Sequence, residues 1–378
     1  MDFEYILEAR DVSYSYEKKD GSPMSLKGVS LGIRPGIRTV ILGANGAGKS
    51  TLFYHFNGVF KPKSGEILYR GIPLCYDKEV LYQLREDIAV VVQNPDEQIF
   101  SSTVEEDVAF GPMNQNLHPS IVEERIRDSL FKVGMEEFRY RPTTQLSFGQ
   151  KKRVAIAGAL AMEPKVLILD EPTAGLDPQM SQEVMELVDQ MCMTGTTVII
   201  STHDVDLAYA WADEIHVMRL GHLVYSGRPE EFFEDREAVA LSGLSLPHTF
   251  SVNHSLEGIR GLPDAPFPRT NSQLLAKLSP PDAVFGRIRV EPIPSDGNID
   301  PGDAVVGVYG FRAKKLFRDI GRKADINFNA IEGCCLSAMQ GRDTILYCDT
   351  ELAATIRYRI ASLTRFGRVP EVYRCRTG

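Results

Sequence analysis

One run, Gly43-Ala44-Asn45-Gly46-Ala47-Gly48-Lys49-Ser50-Thr51, constrains this chain more than any other stretch. It follows a short apolar segment, Thr39–Leu42, and precedes Leu52–Asn57, which contains neither Gly nor Pro. The predicted order is strand, glycine loop and helix start, the context a phosphate-binding loop requires. Glycines let successive backbone N–H groups curl around phosphate oxygens at the positive end of a helix. Lys49 then reaches the β- and γ-phosphates, and the Ser50 hydroxyl ligates Mg²⁺. The pattern fixes only four positions. At average residue usage it arises by accident in on the order of one chain in a hundred of this length. Nucleoside triphosphate binding is therefore an expectation that the remaining sequence has to support.

Length and composition set the frame. A chain of 378 residues suits two or three domains with ample length for a large core. No apolar run approaches the ~18 residues of a membrane span, and the N-terminus lacks a signal pattern. A protein that stays in the cytoplasm unless a partner ties it to a membrane is expected. The net charge of −9 is unevenly placed: the first 250 residues are acidic and the remainder is net basic. An acidic main domain argues against a nucleic-acid partner. Cys75, Cys192, Cys334, Cys335, Cys348 and Cys375 form no C-x-x-C pair, so free thiols are expected.

In chain order, Tyr5–Tyr16, Gly28–Ile33 and Arg38–Leu42 read as strands, with turns at Lys19-Asp20-Gly21 and Arg34-Pro35-Gly36. Tyr16 is either half-buried sheet packing or a ring on which adenine stacks. Gly65–Tyr69 and Ile88–Gln93 follow as strands, and the second is apolar enough to be buried on both faces. Helices take over from Asn94 to Lys165. Thr103-x-x-Glu106 and Ser120-x-x-Glu123 both match the capping box, and a helix from Leu146–Gln150 runs to about Met162. Val166–Leu169 is another buried strand, ending in the acids Asp170 and Glu171. An acidic pair at such a strand end is expensive unless it has a task. A helix from about Ser181 to Thr194 follows. The strand Thr196–Ser201 then leads to Thr202-His203-Asp204, and the domain ends near residue 245. Strands alternating with helices predict a doubly wound α/β domain.

At this point the chain resembles the ATP-binding-cassette (ABC) ATPases over residues 1 to about 245. Gly43–Ser50 matches their phosphate loop, Gln93 the Q-loop and Leu146–Gln150 the signature. Val166–Glu171 matches Walker B, Gly175-Leu176-Asp177 the D-loop, His203 the switch histidine and Tyr16 the aromatic A-loop residue. The resemblance implies a RecA-like core with an antiparallel β part and a helical insert, about residues 96–165. It implies ATP and Mg²⁺, with Gly43, Asn45, Gly46, Gly48, Lys49, Ser50 and Thr51 around the phosphates and Tyr16 on the adenine. Ser50, Gln93 and Asp170 would hold the metal. Glu171 would be the general base, assisted by Lys49 and His203. Ser147, Gly149, Gln150 and Asp177 would serve the nucleotide of a second ATPase subunit, a second copy or a paralogue. Phe148 departs from the pattern by standing where glycine is usual, which predicts a backbone φ below zero there.

The segments Asn94–Phe100 and Thr103–Pro112, with Ser147–Arg153, look like those of energy-coupling-factor importers, most closely their cobalt and nickel ATPase subunits. That resemblance implies a transmembrane coupling subunit, a substrate-binding membrane subunit and a place at the cytoplasmic face of the membrane. Import of a vitamin, or a soluble mechanoenzyme role outside transport, are the alternatives. Prolines from 263 to 301 predict a linker over 246–302. Beyond it, Val305–Val308, Phe311–Lys323, Ile326–Ile331, Thr344–Cys348, Glu351–Phe366 and Val369–Tyr373 read as βαββαβ. This predicts a small ferredoxin-like α+β domain over 303–378, regulatory in role. Cys334–Met339 reads as a further strand or an extension of the third. Lys314, Arg318 and Arg322 are expected on one face of the basic helix.

Overall fold

The computed structural model describes residues 3–16, 24–294 and 299–373. The expected turn at Lys19-Asp20-Gly21, and Cys375, lie outside the described residues. The chain divides into two compact units, Met1–Leu246 and Pro247–Gly378.

The first unit begins with β1 (Leu7–Tyr14), β2 (Leu26–Ile33), β3 (Arg38–Leu42) and α1 (Lys49–Phe56). Then come β4 (Ser64–Tyr69), β5 (Ile72–Pro73), α2 (Lys78–Asp87) and β6 (Ile88–Val91). A helical part follows, made of α3 (Val104–Asn114), α4 (Pro119–Lys132) and α5 (Phe148–Ala161). The chain returns through β7 (Val166–Asp170), α6 (Pro178–Met193), β8 (Thr197–Thr202) and α7 (Val205–Trp211). It finishes with β9 (Glu214–Arg219), β10 (His222–Gly227), α8 (Pro229–Glu234) and α9 (Arg236–Ser242).

Two sheets result. The six-stranded sheet runs β10-β9-β3-β8-β7-β6, parallel except for the β9–β10 hairpin, which turns at Leu220-Gly221. The smaller sheet, β2-β1-β4-β5, is antiparallel. Strands β7 and β8 are buried along their whole length, as their unbroken apolar runs require of parallel strands covered on both faces. The ends of β3, β7 and β8 therefore open on the same edge. That edge is where doubly wound sheets place ligand-binding groups.

The helical part shows local sequence rules at work. Thr103 and Glu106 form a complete capping box at the start of α3. Ser120 and Glu123 do not: His118 caps α4 instead, its Nδ1 accepting from the Ser120 amide, and Glu123 pairs with Arg139. Pro119 fixes this choice, because proline belongs at the first helical position and so places the cap at His118, two residues before Ser120.

The second unit corrects the expectation for its half. The stretch read as a linker is folded into α10 (His248–Arg260), α11 (Asn271–Leu278) and β11 (Ile288–Pro292), the prolines falling between elements. After it come β12 (Val305–Tyr309), α12 (Phe311–Asp319), α13 (Ala330–Met339), β13 (Thr344–Cys348), α14 (Ala353–Ala361) and β14 (Val372–Tyr373). The sheet order is β12-β13-β11-β14 and every pairing is parallel, so the unit is not ferredoxin-like. Ile326 makes only a single bridge to Gly307, and the region expected as strand at Cys334–Met339 lies in a helix. The reason is spacing. Ala330, Cys334 and Ala338 recur every four residues and are all buried, a helical rather than a strand period. The fit against β12 is close: a Cβ on Gly307 would stand 2.4 Å from Cys334 Sγ. Arg322 falls beyond the end of α12, so the expected basic face is shorter. Burial pushes the Cys334 and Cys348 thiols up to about 12 and raises that of Cys335 as well.

Candidate active site

The glycine loop joins β3 to α1, and Gly43, Gly46 and Gly48 all need to be glycine: a Cβ on Gly43 would stand 2.3 Å from the Met218 carbonyl oxygen. Gly46 and Gly48 have φ of 80° and 105°, conformations that a side chain would strain. Gly48 caps α1 without any side-chain bond, leaving the first amides of that helix directed outward. Nothing lies within 4 Å of where a Cβ on Gly46 would stand, and Asn45 is exposed at the tip. This open cradle of amides at a helix N-terminus fits a polyphosphate.

Lys49 is buried, and its Nζ donates to the Gly43 carbonyl at 2.6 Å. The same ammonium lies 3.0 Å from Glu171 Oε1. His203, just beyond β8, puts Nδ1 3.2 and 3.1 Å from the two Glu171 oxygens. The structure thus brings Lys49, Glu171 and His203 into one contact chain. Glu171 also has a left-handed backbone, φ 45°, a conformation costly for a non-glycine residue and concentrated at functional sites. Ser201 in β8 holds the acidic pair in place. Its hydroxyl donates to Asp170 Oδ1 and accepts from the Glu171 amide at 2.9 Å.

Ser50 stands at the second position of α1, Asp170 is buried at the end of β7, and Gln93 is exposed two residues after β6. A hydroxyl, an amide oxygen and a carboxylate are hard oxygen donors suited to Mg²⁺ beside phosphate. The Tyr16 hydroxyl shares a 2.8 Å hydrogen bond with Thr51 Oγ1, and its ring meets Tyr14 and Phe60 edge-on. Tyr16 is 57% exposed, more open than a half-buried packing position and compatible with stacking on a base.

Ser147, Gly149 and Gln150 open α5 elsewhere. The side chains of Ser147 and Gln150 bond each other's backbone amides in a capping box, not the phosphate loop. Asp177 caps α6 by accepting from the Met180 amide at 2.8 Å. Phe148 has no positive φ, as expected. Its ring lies over Gly175, where an added Cβ would approach within 2.9 Å.

Two neighbours of the candidate site were not read from the sequence. One is Ser201. The other is Lys152, fully buried, whose Nζ donates to the carbonyls of Val92 (3.1 Å) and Gln93 (2.8 Å). Burial lowers its pKa to about 8, opposed by the negative charges of Asp170 and Glu171. A signal existed: Gly149, Lys152 and Ile156 share the buried face of α5, where a lysine is out of place.

Comparison with known proteins places this geometry. Residues 26–174 match the family described as ABC transporter. The chain is 49% identical over 253 residues to the energy-coupling factor transporter ATP-binding protein EcfA of Methanocaldococcus jannaschii, covering 67% of this chain and 88% of that one. The chain belongs to the energy-coupling factor transporter ATP-binding proteins. Methanospirillum hungatei has a relative, EcfA2, that is 38% identical over 377 residues, spanning 95% of this chain and 93% of its own, so the second unit is shared as well. Among solved structures, cbiO1 from Clostridium perfringens, part of the ABC transporter complex cbiONQ, is 45% identical with a TM-score of 0.56. It covers 67% of this chain and 99% of its own. An ATP-binding cassette solved as a dimer after hydrolysis, with ADP and Pi, is 28% identical with a TM-score of 0.54, covering 59% and 98%. This ABC ATPase therefore binds ATP with Mg²⁺ and hydrolyses it for transport. Among the described residues no helix is long and apolar enough to cross a membrane.

Proposed function

We propose that this ATPase powers import of a transition-metal ion, cobalt or nickel, through a membrane coupling subunit and a membrane substrate-binding subunit. It works at the cytoplasmic membrane face as a pair of cassettes, two copies or one with a paralogue, closing around two ATP molecules. One observation carries the coupling. Phe100, on the segment that follows Gln93, and Phe110 of α3 stand exposed and edge-to-face, ring centroids 4.7 Å apart. Asp107 of α3 fixes that segment by accepting from the Phe100 and Ser101 amides, both at 3.1 Å. An exposed aromatic pair of this kind marks a protein contact, and Phe100 lies on the segment that follows the residue assigned to the metal.

The roles within the site follow from the contact chain. Glu171 takes the proton of the attacking water, and His203 beside it orients the carboxylate and meets the γ-phosphate. Lys49 neutralises phosphate charge next to that base. Ser50, Gln93 and Asp170 would hold Mg²⁺, which would supply further neutralisation of phosphate charge. Gly43, Asn45, Gly46, Gly48 and Thr51 surround the phosphates, and Tyr16 receives the adenine. Ser147, Gly149, Gln150 and Asp177 sit at two helix starts, α5 and α6, and serve the partner's nucleotide.

The choice of cobalt or nickel leans on the sequence of Asn94–Phe100 and Thr103–Pro112. The test is uptake of radiolabelled cobalt, nickel and vitamins by cells carrying the ATPase with its membrane subunits. Metal uptake is expected, and Glu171→Gln is expected to abolish it while lowering ATPase turnover ~10²–10⁴-fold and sparing ATP binding. Vitamin uptake alone would contradict the substrate. Wild-type turnover by Glu171→Gln would contradict the base.

A further inference from the structure

The first turns of α5 carry two adjacent lysines, and both ammonium groups end on the segment after β6. Lys152 bonds the Val92 and Gln93 carbonyls. Lys151 lies 2.5 Å from Asp96, in the 3₁₀ turn Pro95–Glu97. The same segment is closed on itself by the Val92 amide, which donates to Gln98 Oε1 at 3.0 Å. Gln93 thus has little freedom to move without α5, and Ser147 is the cap of that helix.

Energetics make Lys152 a poor choice for stability alone. Burying an ammonium costs several kcal/mol before its hydrogen bonds offset the loss, and a packed apolar residue would often serve as well. Two carbonyls on successive residues are what the ammonium gains in exchange. They belong to the loop that bears Gln93.

We propose that Lys152, reinforced by the Lys151–Asp96 pair, is a positioning residue that clamps the Q-loop backbone to the signature helix. A shift of Gln93 at one nucleotide then becomes a shift of Ser147 at the other. This rests on the roles proposed above for Gln93 and Ser147. Lys152 does not touch the nucleotide and acts through Gln93.

The experiment compares the full chain as wild type, Lys152→Met, Gln93→Ala and the double variant. Each is titrated with a fluorescent ATP analogue in EDTA, then with Mg²⁺ added to that complex, and assayed for ATPase kcat and KM. Lys152→Met is expected to bind the analogue as wild type does. It is expected to lose tenfold or more in kcat with KM changed less, and to need several-fold more Mg²⁺. The double variant should fall little below Gln93→Ala, because both remove one linked function. Wild-type kcat and Mg²⁺ dependence in Lys152→Met, or losses that multiply in the double variant, would overturn the clamp. Gln93→Ala tests the metal assignment separately: unchanged Mg²⁺ dependence there sinks that assignment, while kcat of Lys152→Met still decides the clamp. If Lys152→Met does not fold, Lys151→Ala decides it through a partly exposed site. A two- to fivefold loss in kcat with unchanged analogue binding supports the clamp, and no loss overturns it.

Discussion

His216 shows what burial in the central sheet does to a titratable group. It lies in β9, almost fully enclosed, with Nδ1 2.8 Å from the Ser226 hydroxyl and no hydrogen-bond partner for Nε2 among the described residues. Desolvation, with a smaller contribution from Arg34, lowers its pKa to about 4. In the unfolded chain an ordinary histidine titrates near 6.5. Between those values the unfolded state binds a proton that the folded state refuses, so stability rises with pH. Relative to pH 7, folding should lose up to about 3 kcal/mol as pH falls from ~6.5 to ~4 on this account alone. Urea unfolding of wild type and His216→Gln across that range checks it. Wild type should lose more stability than the variant, and parallel curves would contradict the assignment. Residue legibility followed the same logic. Lys49, Asp170 and Glu171 could be read as candidates because phosphate chemistry dictates their types and order, and the structure puts Lys49 3.0 Å from Glu171. Ser201 and Lys152 act through contacts that only the fold creates, between β8 and β7 and between α5 and the end of β6.

Among the elements, those with strong local signals were legible. The buried strands β7 and β8, the capped helix α3 and the signature helix α5 follow from apolar runs and caps alone. The second unit was misread for two reasons. Its prolines masked α10, α11 and β11, and in α13 Gly333 with the adjacent Cys334 and Cys335 lowered the helical propensity enough to leave a strand reading. Strand β11 is the revealing case: five residues flanked by prolines and glycines take an interior place in the sheet, between β13 and β14. That sheet builds its own core from Ile299, Val306, Val308, Phe317, Ile345 and Tyr347, while the residues assigned to ATP all precede Asp204. We propose a regulatory role for these elements. A chain ending at Leu246 is expected to fold and hydrolyse ATP, but with an altered dependence of activity on protein concentration. Insoluble protein, or loss of ATP binding, would show instead that the second unit completes the cassette.

In the whole molecule, one phosphate loop and one signature occur in a single chain, and their side chains do not meet. Lys49, Glu171 and His203 converge, whereas Ser147 and Gln150 bond each other at the start of another helix. A chain with both halves but no contact between them calls for a second cassette facing it. The most direct measurement mixes two inactive full-length variants, Lys49→Ala and Ser147→Arg, which damage opposite sides of the composite site. A heterodimer of the two has one site with both defects and one with neither. The account predicts that ATPase activity returns on mixing and peaks near equal amounts. If heterodimers form and no mixing ratio restores activity, the shared site is contradicted.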